Sequence, residues 1–202
     1  MQFVRHGWVN RNQLADGTPL TVPYDHRDRY AEIRHVRIGN DARWRAKLCR
    51  TLALRLGAAA DPYIEIISRP YELLAGLNLA LLRQLTRDLG IDTEWTIQSH
   101  LATGDGNPMP AVTNDTHDAT DASTRIAEMV AELGGTTWLS GASGRNYLDE
   151  EAFRARDIDV VYFDHDGPNP SAVELLHERP PLERDGATLI AAALADRVRT
   201  TR

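Results

Sequence analysis

Two short stretches bring together residue types that could do chemistry. In "WLSGASGRNYLDEE" (138–151) an apolar strand runs through small residues into a helix. Gly141 and Gly144 would let the backbone approach an anion closely, and free N–H groups at the helix start would hold it. Ser140 and Ser143 add hydroxyl donors, Arg145 adds charge, and Asp149 suits either a helix cap or a general base. The pattern is neither a Walker A loop nor a dinucleotide fingerprint, so a plain tight turn explains the spacing equally well. The second stretch, "RHGWVNRN" (5–12), crowds His6, Trp8, Asn10, Arg11 and Asn12 behind an apolar start. Asn and Arg give planar, multi-point hydrogen bonding suited to carboxylate, phosphate or amide groups. A solvated loop with Asn10 and Asn12 making local turns is the competing reading. "DHD" (164–166) offers a His between two acids, an oriented base or simply a polar turn.

The elements that must position these residues follow from periodicity. Residues 2–4 read as the end of a strand, with the polar cluster at its tip. Residues 19–24 and 33–38 read as short strands bounded by Gly, Pro or Asp. Asp41 is placed to cap a helix over 42–56, with Trp44, Leu48, Leu52 and Leu56 at helical spacing and Gly57 as the stop. Asp61-Pro62 starts a short helix. Pro70 opens a long, Leu-rich and mostly buried one that closes at Gly90. Residues 92–99 read as a strand, and 100–123 as a long polar loop. His100, Asp105, His117, Asp118 and Asp121 in that region match no compact metal-ligand pattern. Helix 123–135, strand 136–141, turn 142–146, helix 147–156 and strand 158–163 then alternate as in a parallel α/β layer. A last helix covers 186–198, and the tail 198–202 is expected to fray. The fold class expected is α/β: a parallel-rich sheet flanked by helices, three-layered and Rossmann-like, with a helical middle segment, in a single domain over 1–202. In such sheets ligands bind beyond the carboxyl ends of strands, where 140–144 would lie.

Composition narrows the class. The 202 residues are 42% apolar and 26% charged, an ordinary soluble balance with a single cysteine, Cys49. One cysteine forms no internal disulfide and fits a reducing, cytoplasmic setting; its plain reading is a small apolar residue in a helix. No apolar run reaches the ~18–20 residues of a membrane span, and no signal peptide or membrane partner is expected. Residues 1–100 carry a net charge of +3 and the remainder −9. This balance does not favour nucleic acid as a partner, although "RHVRIGNDARWRAKLCR" (34–50) is locally basic.

Along most of the chain the sequence resembles the WbqC-like family. The matching stretches are "QFVRHGWVNRN", "PLTVPY", "RWRAK", "LNLALLRQLTRDLGID" and "LGGTTWLSGASGRNYLDEEAF", in the family's order. The resemblance implies a transferase of surface-polysaccharide gene clusters that attaches an amino acid, specifically glycine, to a sugar. By motif match it implies site positions at Asn10, Arg11 and Asn12, at Arg45 and Lys47, and at Ser140, Gly141, Gly144, Tyr147 and Asp149. Three departures stand out. The family's upstream strand and His-Gln-Pro segment do not stand before Met1 in this sequence, so either an N-terminally shortened member or a start upstream of Met1 is expected. Its usual His after the "RWRAK" stretch is Leu48, and "GPNPS" stands for Tyr-Pro-Gln near the C-terminus.

Three functions compete. The first is amino-acid transfer to a sugar or nucleotide-linked acceptor. In it Arg11, Arg45 and Lys47 hold a phosphate or carboxylate, turn 140–144 cradles a second anion or oxyanion, and His6 or Asp149 takes the proton. Trp8, Ser143, Arg145 and Tyr147 complete the expected substrate-binding set. The second is the same transfer to an activated, modified base in DNA. The third is a non-catalytic remnant that binds without turnover. The partners expected are a small amino acid and a phosphate- or nucleotide-bearing substrate, with no metal or cofactor. A homo-oligomer would form if a free sheet edge paired with another copy.

Overall fold

The computed structural model describes residues 9–41, 43–101 and 119–163. The expected strand at 2–4, His6, Trp8, residues 164–166 and the helix at 186–198 lie outside the described residues, as does most of the expected loop. The chain divides into two compact units, residues 1–94 with 169–202, and residues 95–168.

The first unit opens with a hairpin of β1 (Arg11–Gln13) and β2 (Pro19–Thr21), paired antiparallel with Asn12 opposite Leu20. Its turn is closed by Leu14 N–H to the Thr18 carbonyl (2.9 Å) and uses Gly17 at φ +82°, a left-handed position that glycine adopts without strain. Three helices follow: α1 (Arg43–Leu56), α2 (Asp61–Ser68) and α3 (Leu74–Asp88). The α1 stripe Trp44, Leu48, Leu52 and Leu56 is buried as its spacing predicts, and Asp41 accepts the Arg43 N–H at 3.1 Å. These side chains share one core with Val22, Val36, Ile38, Ile66, Ile67, Leu74 and Leu77. Leu48, where the family carries His, faces this core.

The expected strand at 33–38 is half right. Ile33–His35 is a 3-10 turn, and only the residues after it are extended. There the chain lies between two neighbours. Asp25 N–H donates to the Arg37 carbonyl and Gly39 N–H to Pro23 on one side; Ile38 N–H donates to Glu72 and Leu74 N–H to Val36 on the other. The same pairing explains why α3 starts at Leu74 rather than Pro70: residues 71–73 are held extended against 36–38. α3 also buries one face rather than most of its surface, Leu74 and Leu77 inward and Leu82 outward. It ends at Gly90 (φ +65°), with Ile91 N–H returning to Thr86 and Gly90 N–H to Arg87, a Schellman closure.

Residues 92–99, where the chain passes from the first unit into the second, form no strand; a 3-10 turn at Gln98–His100 is the regular piece that follows there in the second unit. α4 (Ala119–Glu132) begins four residues before the expected helix, so the polar stretch is helical from 119 onward. It closes at Gly134 by the same motif. Then β3 (Thr137–Gly141), a 3-10 turn (Ala142–Asn146), the short α5 (Glu150–Arg154) and β4 (Asp159–Phe163) follow. β3 and β4 pair in parallel, Trp138 opposite Val160 and Ser140 opposite Tyr162. Ala127, Val130, Phe153 and Ile158 form the core, with Trp138 stacked on Phe153 at 6.4 Å between ring centres.

The fold is therefore mixed helix and strand with small sheets. Among the described residues, parallel pairing is confined to β3 and β4. No described helix is long and apolar enough to cross a membrane.

Candidate functional site

In the first unit, the three extended segments and the start of α1 enclose a cleft of about 320 Å³. Asp25 and Arg27 come from the segment after β2. Arg37, Gly39 and Asn40 come from the middle segment. Asp41, Trp44 and Arg45 come from the α1 entry, and Tyr71 and Glu72 from the segment before α3. Gly39 eases the close approach: a Cβ there would sit 3.3 Å from Pro23 Cβ and from the Tyr24 carbonyl, so these neighbours would have to give by a few tenths of an ångström.

Three of the six Lys and Arg charges in the basic 34–50 stretch are paired with acids. Arg37 grips the Asp28 carboxylate through Nε (2.8 Å) and Nη2 (2.6 Å), and its own N–H adds a third bond. Arg34 pairs with Glu32 and Arg43 with Asp41. Asp25 takes Arg27 and, at 3.7 Å, Arg37. The Arg27 bond holds the Asp25 carboxyl well below the usual carboxylate range, and the Arg37 bonds lower that of Asp28.

Arg45 differs. Its Nε donates to the Ile67 carbonyl at 3.1 Å, Nη2 approaches that of Tyr71 at 3.5 Å, and the guanidinium lies 4.8 Å from the Trp44 ring centre. Among the described residues no carboxylate forms an ion pair with it. Lys47 is exposed and does not line the cleft; residues two apart on a helix do not face one another.

The first motif does structural work. Asn10 is 6% exposed. Its Nδ2 donates to the Val22 carbonyl at 3.0 Å and its own carbonyl accepts the Val22 N–H. Asn78 on α3 donates to the Val9 carbonyl at 2.8 Å. Arg11 and Asn12 are exposed on β1, and Asn12 Oδ1 accepts the Gln13 N–H. The structure brings Arg45 to a cleft that contains none of these three.

In the second unit the turn after β3 is tightly built. Ser140 is buried and donates to the Gly141 carbonyl. A Cβ on Gly144 would clash with Ser140 Oγ and press on Leu148 Cδ1 and Tyr162 Cε1 at 3.1 Å, so a larger residue there requires these side chains to move. Gly141 meets no such crowding. Ser143, Arg145 and Tyr147 are exposed, with the Arg145 guanidinium 4.7 Å from the Tyr162 ring centre. Asp149 caps α5: its Oδ1 accepts the Glu151 N–H at 3.0 Å, while its own N–H donates to the buried Ser123 hydroxyl at 2.9 Å.

Sequence reasoning missed Asn40, Tyr71 and Glu72 as cleft residues. Tyr71 and Glu72 follow Pro70 and read as the first turn of a helix. No local signal marks them, because their partners, Arg45 for Tyr71 and Ile38 for Glu72, lie far away in the chain.

The sequence profile of the WbqC-like protein family matches residues 1–171. The chain belongs to this family. It is also 29% identical over 177 residues to the uncharacterized protein Rv1507c of Mycobacterium tuberculosis (strain ATCC 25618 / H37Rv), covering 83% of this chain and 70% of that protein. No solved structure matches.

Proposed function

We propose that this WbqC-like protein is a transferase that attaches a small amino acid, of the glycine type, to a sugar or nucleotide-linked acceptor. The observation that carries the reading is Arg45, a fixed cation in the family's "RWRAK" stretch that lines a cleft and has no carboxylate partner among the described residues. A cation held this way is suited to an anionic group of a substrate. In this reading Arg11 holds a phosphate or carboxylate, the 140–144 turn cradles a second anion or a developing oxyanion, and His6 or Asp149 takes the proton from the attacking group. The same proposal takes β3, α5 and β4 as part of a wider, Rossmann-like layered sheet. Parallel strands are normally covered on both faces, yet Leu139 and Phe163 on one face of this pair are 38% and 44% exposed.

The test is incubation of the purified chain with isotopically labelled glycine and nucleotide-linked sugars, read as labelled acceptor by mass spectrometry. Label transfer that falls on changing Arg11→Ala or Ser140→Ala supports the site. Full transfer by both variants overturns it. Transfer to modified DNA bases is the weaker reading, because Arg34, Arg37 and Arg43 of the basic stretch are already paired with acids.

A further inference from the structure

The charges around the cleft have a pattern of their own. Three arginines line it (Arg27, Arg37, Arg45) and three acids (Asp25, Asp41, Glu72). Most are committed: Arg27 and Arg37 to Asp25 and Asp28, and Asp41 to Arg43. Among the described residues two lining side chains form no ion pair, one of each sign: Arg45 and Glu72, the latter acting on Arg37 only at longer range. They do not pair with each other although both border the same space. A site for a phosphate or polyanion carries an excess of positive charge; this cleft carries none. At about 320 Å³ it lies at the small end of ligand sites.

We infer that the cleft is the amino-acid subsite and takes a small free α-amino acid as its zwitterion, the carboxylate on Arg45 and the ammonium on Glu72. The inference rests on the transferase reading only for its place in a reaction; the binding itself stands alone. The Arg45 fork, fixed from behind by the Ile67 and Tyr71 carbonyls, presents its remaining N–H groups to a carboxylate. The Glu72 backbone is pinned by the Ile38 N–H at 2.8 Å, which fixes where its side chain starts. Trp44 and Tyr71 supply walls without charge. A ligand with only one of the two charges leaves the other protein charge unmatched, so the site selects for both together.

The experiment is calorimetric titration of the full chain with glycine, alanine, serine, acetate, methylamine and inorganic phosphate. At least one amino acid is expected to bind, with acetate, methylamine and phosphate each about tenfold weaker or more. Arg45→Gln and Glu72→Gln are each expected to weaken that amino acid about tenfold or more, and Arg87→Gln on α3, away from the cleft, to leave it unchanged. Arg45→Gln also frees two carbonyls, so its melting temperature is checked; Glu72→Gln keeps those bonds and remains decisive if Arg45→Gln unfolds. Phosphate or acetate binding as tightly as the best amino acid, no amino acid binding at all, or unchanged affinity in Glu72→Gln overturns the inference. Amino-acid binding as described without transfer to any acceptor retires the transferase reading and keeps the subsite. Transfer with an unaltered amino-acid KM in both variants does the reverse.

Discussion

Asp149 shows how a residue suited to two roles is assigned by its bonds. A carboxylate just before a short acidic helix can cap it or abstract a proton, and the spacing is the same for both. The structure engages Oδ1 with the Glu151 N–H. Asp149→Ala is expected to destabilise the chain by about 1 kcal/mol, the usual worth of a cap. Asp149→Asn keeps an acceptor oxygen and is expected to restore most of that in denaturant melts. An asparagine variant with native stability and no turnover would return the base role to Asp149. Similar reasoning applies to Asn10. Its amide type pointed to ligand recognition, but its hydrogen bond to Val22 and its burial show a tie between the chain start and β2. Residue type alone could not separate these uses, because an amide that recognises a ligand also satisfies a neighbouring backbone.

At the scale of elements, legibility followed the distance between partners. α1 was readable to its buried stripe because each turn specifies its own neighbours. The order of α4, β3, α5 and β4 was readable because the crossover is short and its strands lie close in sequence. Residues 33–35 were misread because their hydrogen bonds close locally in a 3-10 turn, and 71–73 because theirs run to 36–38 across the whole of α1 and α2. Residues 92–99 have the alternation of a strand but no partner strand to pair with among the described residues. The Gly144 turn gives a direct test at this scale. Gly144→Ala must push Ser140, Leu148 or Tyr162 aside, and is expected to cost about 1–3 kcal/mol by overpacking. Thermal melting of the variant checks it; wild-type stability would mean that the turn relaxes freely.

For the molecule as a whole, the local charge balance matters more than the net charge of −6. The basic stretch suggested an anion-binding face, yet Arg34, Arg37 and Arg43 are each paired with an acid, Arg34 and Arg43 with one two residues away and Arg37 through a fold-back to Asp28. These pairs also set the acid response. The folded-state pKa values of Asp25 and Asp28 are lowered relative to the unfolded chain by their arginine bonds. Their stabilisation is therefore complete above the unfolded value of about 3.9 and is lost as pH falls below it. Melting temperature should hold between neutrality and about pH 5 as far as these two groups are concerned, then decline with acid. Asp28→Asn should lower it at pH 7 and converge towards wild type as acid protonates Asp28. A gap that stays constant with pH would show that the Arg37 bonds contribute nothing through charge.

The anchoring of Arg45 has a consequence for timing. An arginine side chain carries about 2 kcal/mol of rotamer entropy, and a freely moving one surrenders much of it when it captures a ligand. Here the side chain is fastened to the Ile67 and Tyr71 carbonyls and lies beside the Trp44 ring. The disorder is removed when the chain folds, before any ligand arrives. Encounter then asks little further ordering of the protein, so that a molecule with few atoms can be held by a small number of contacts.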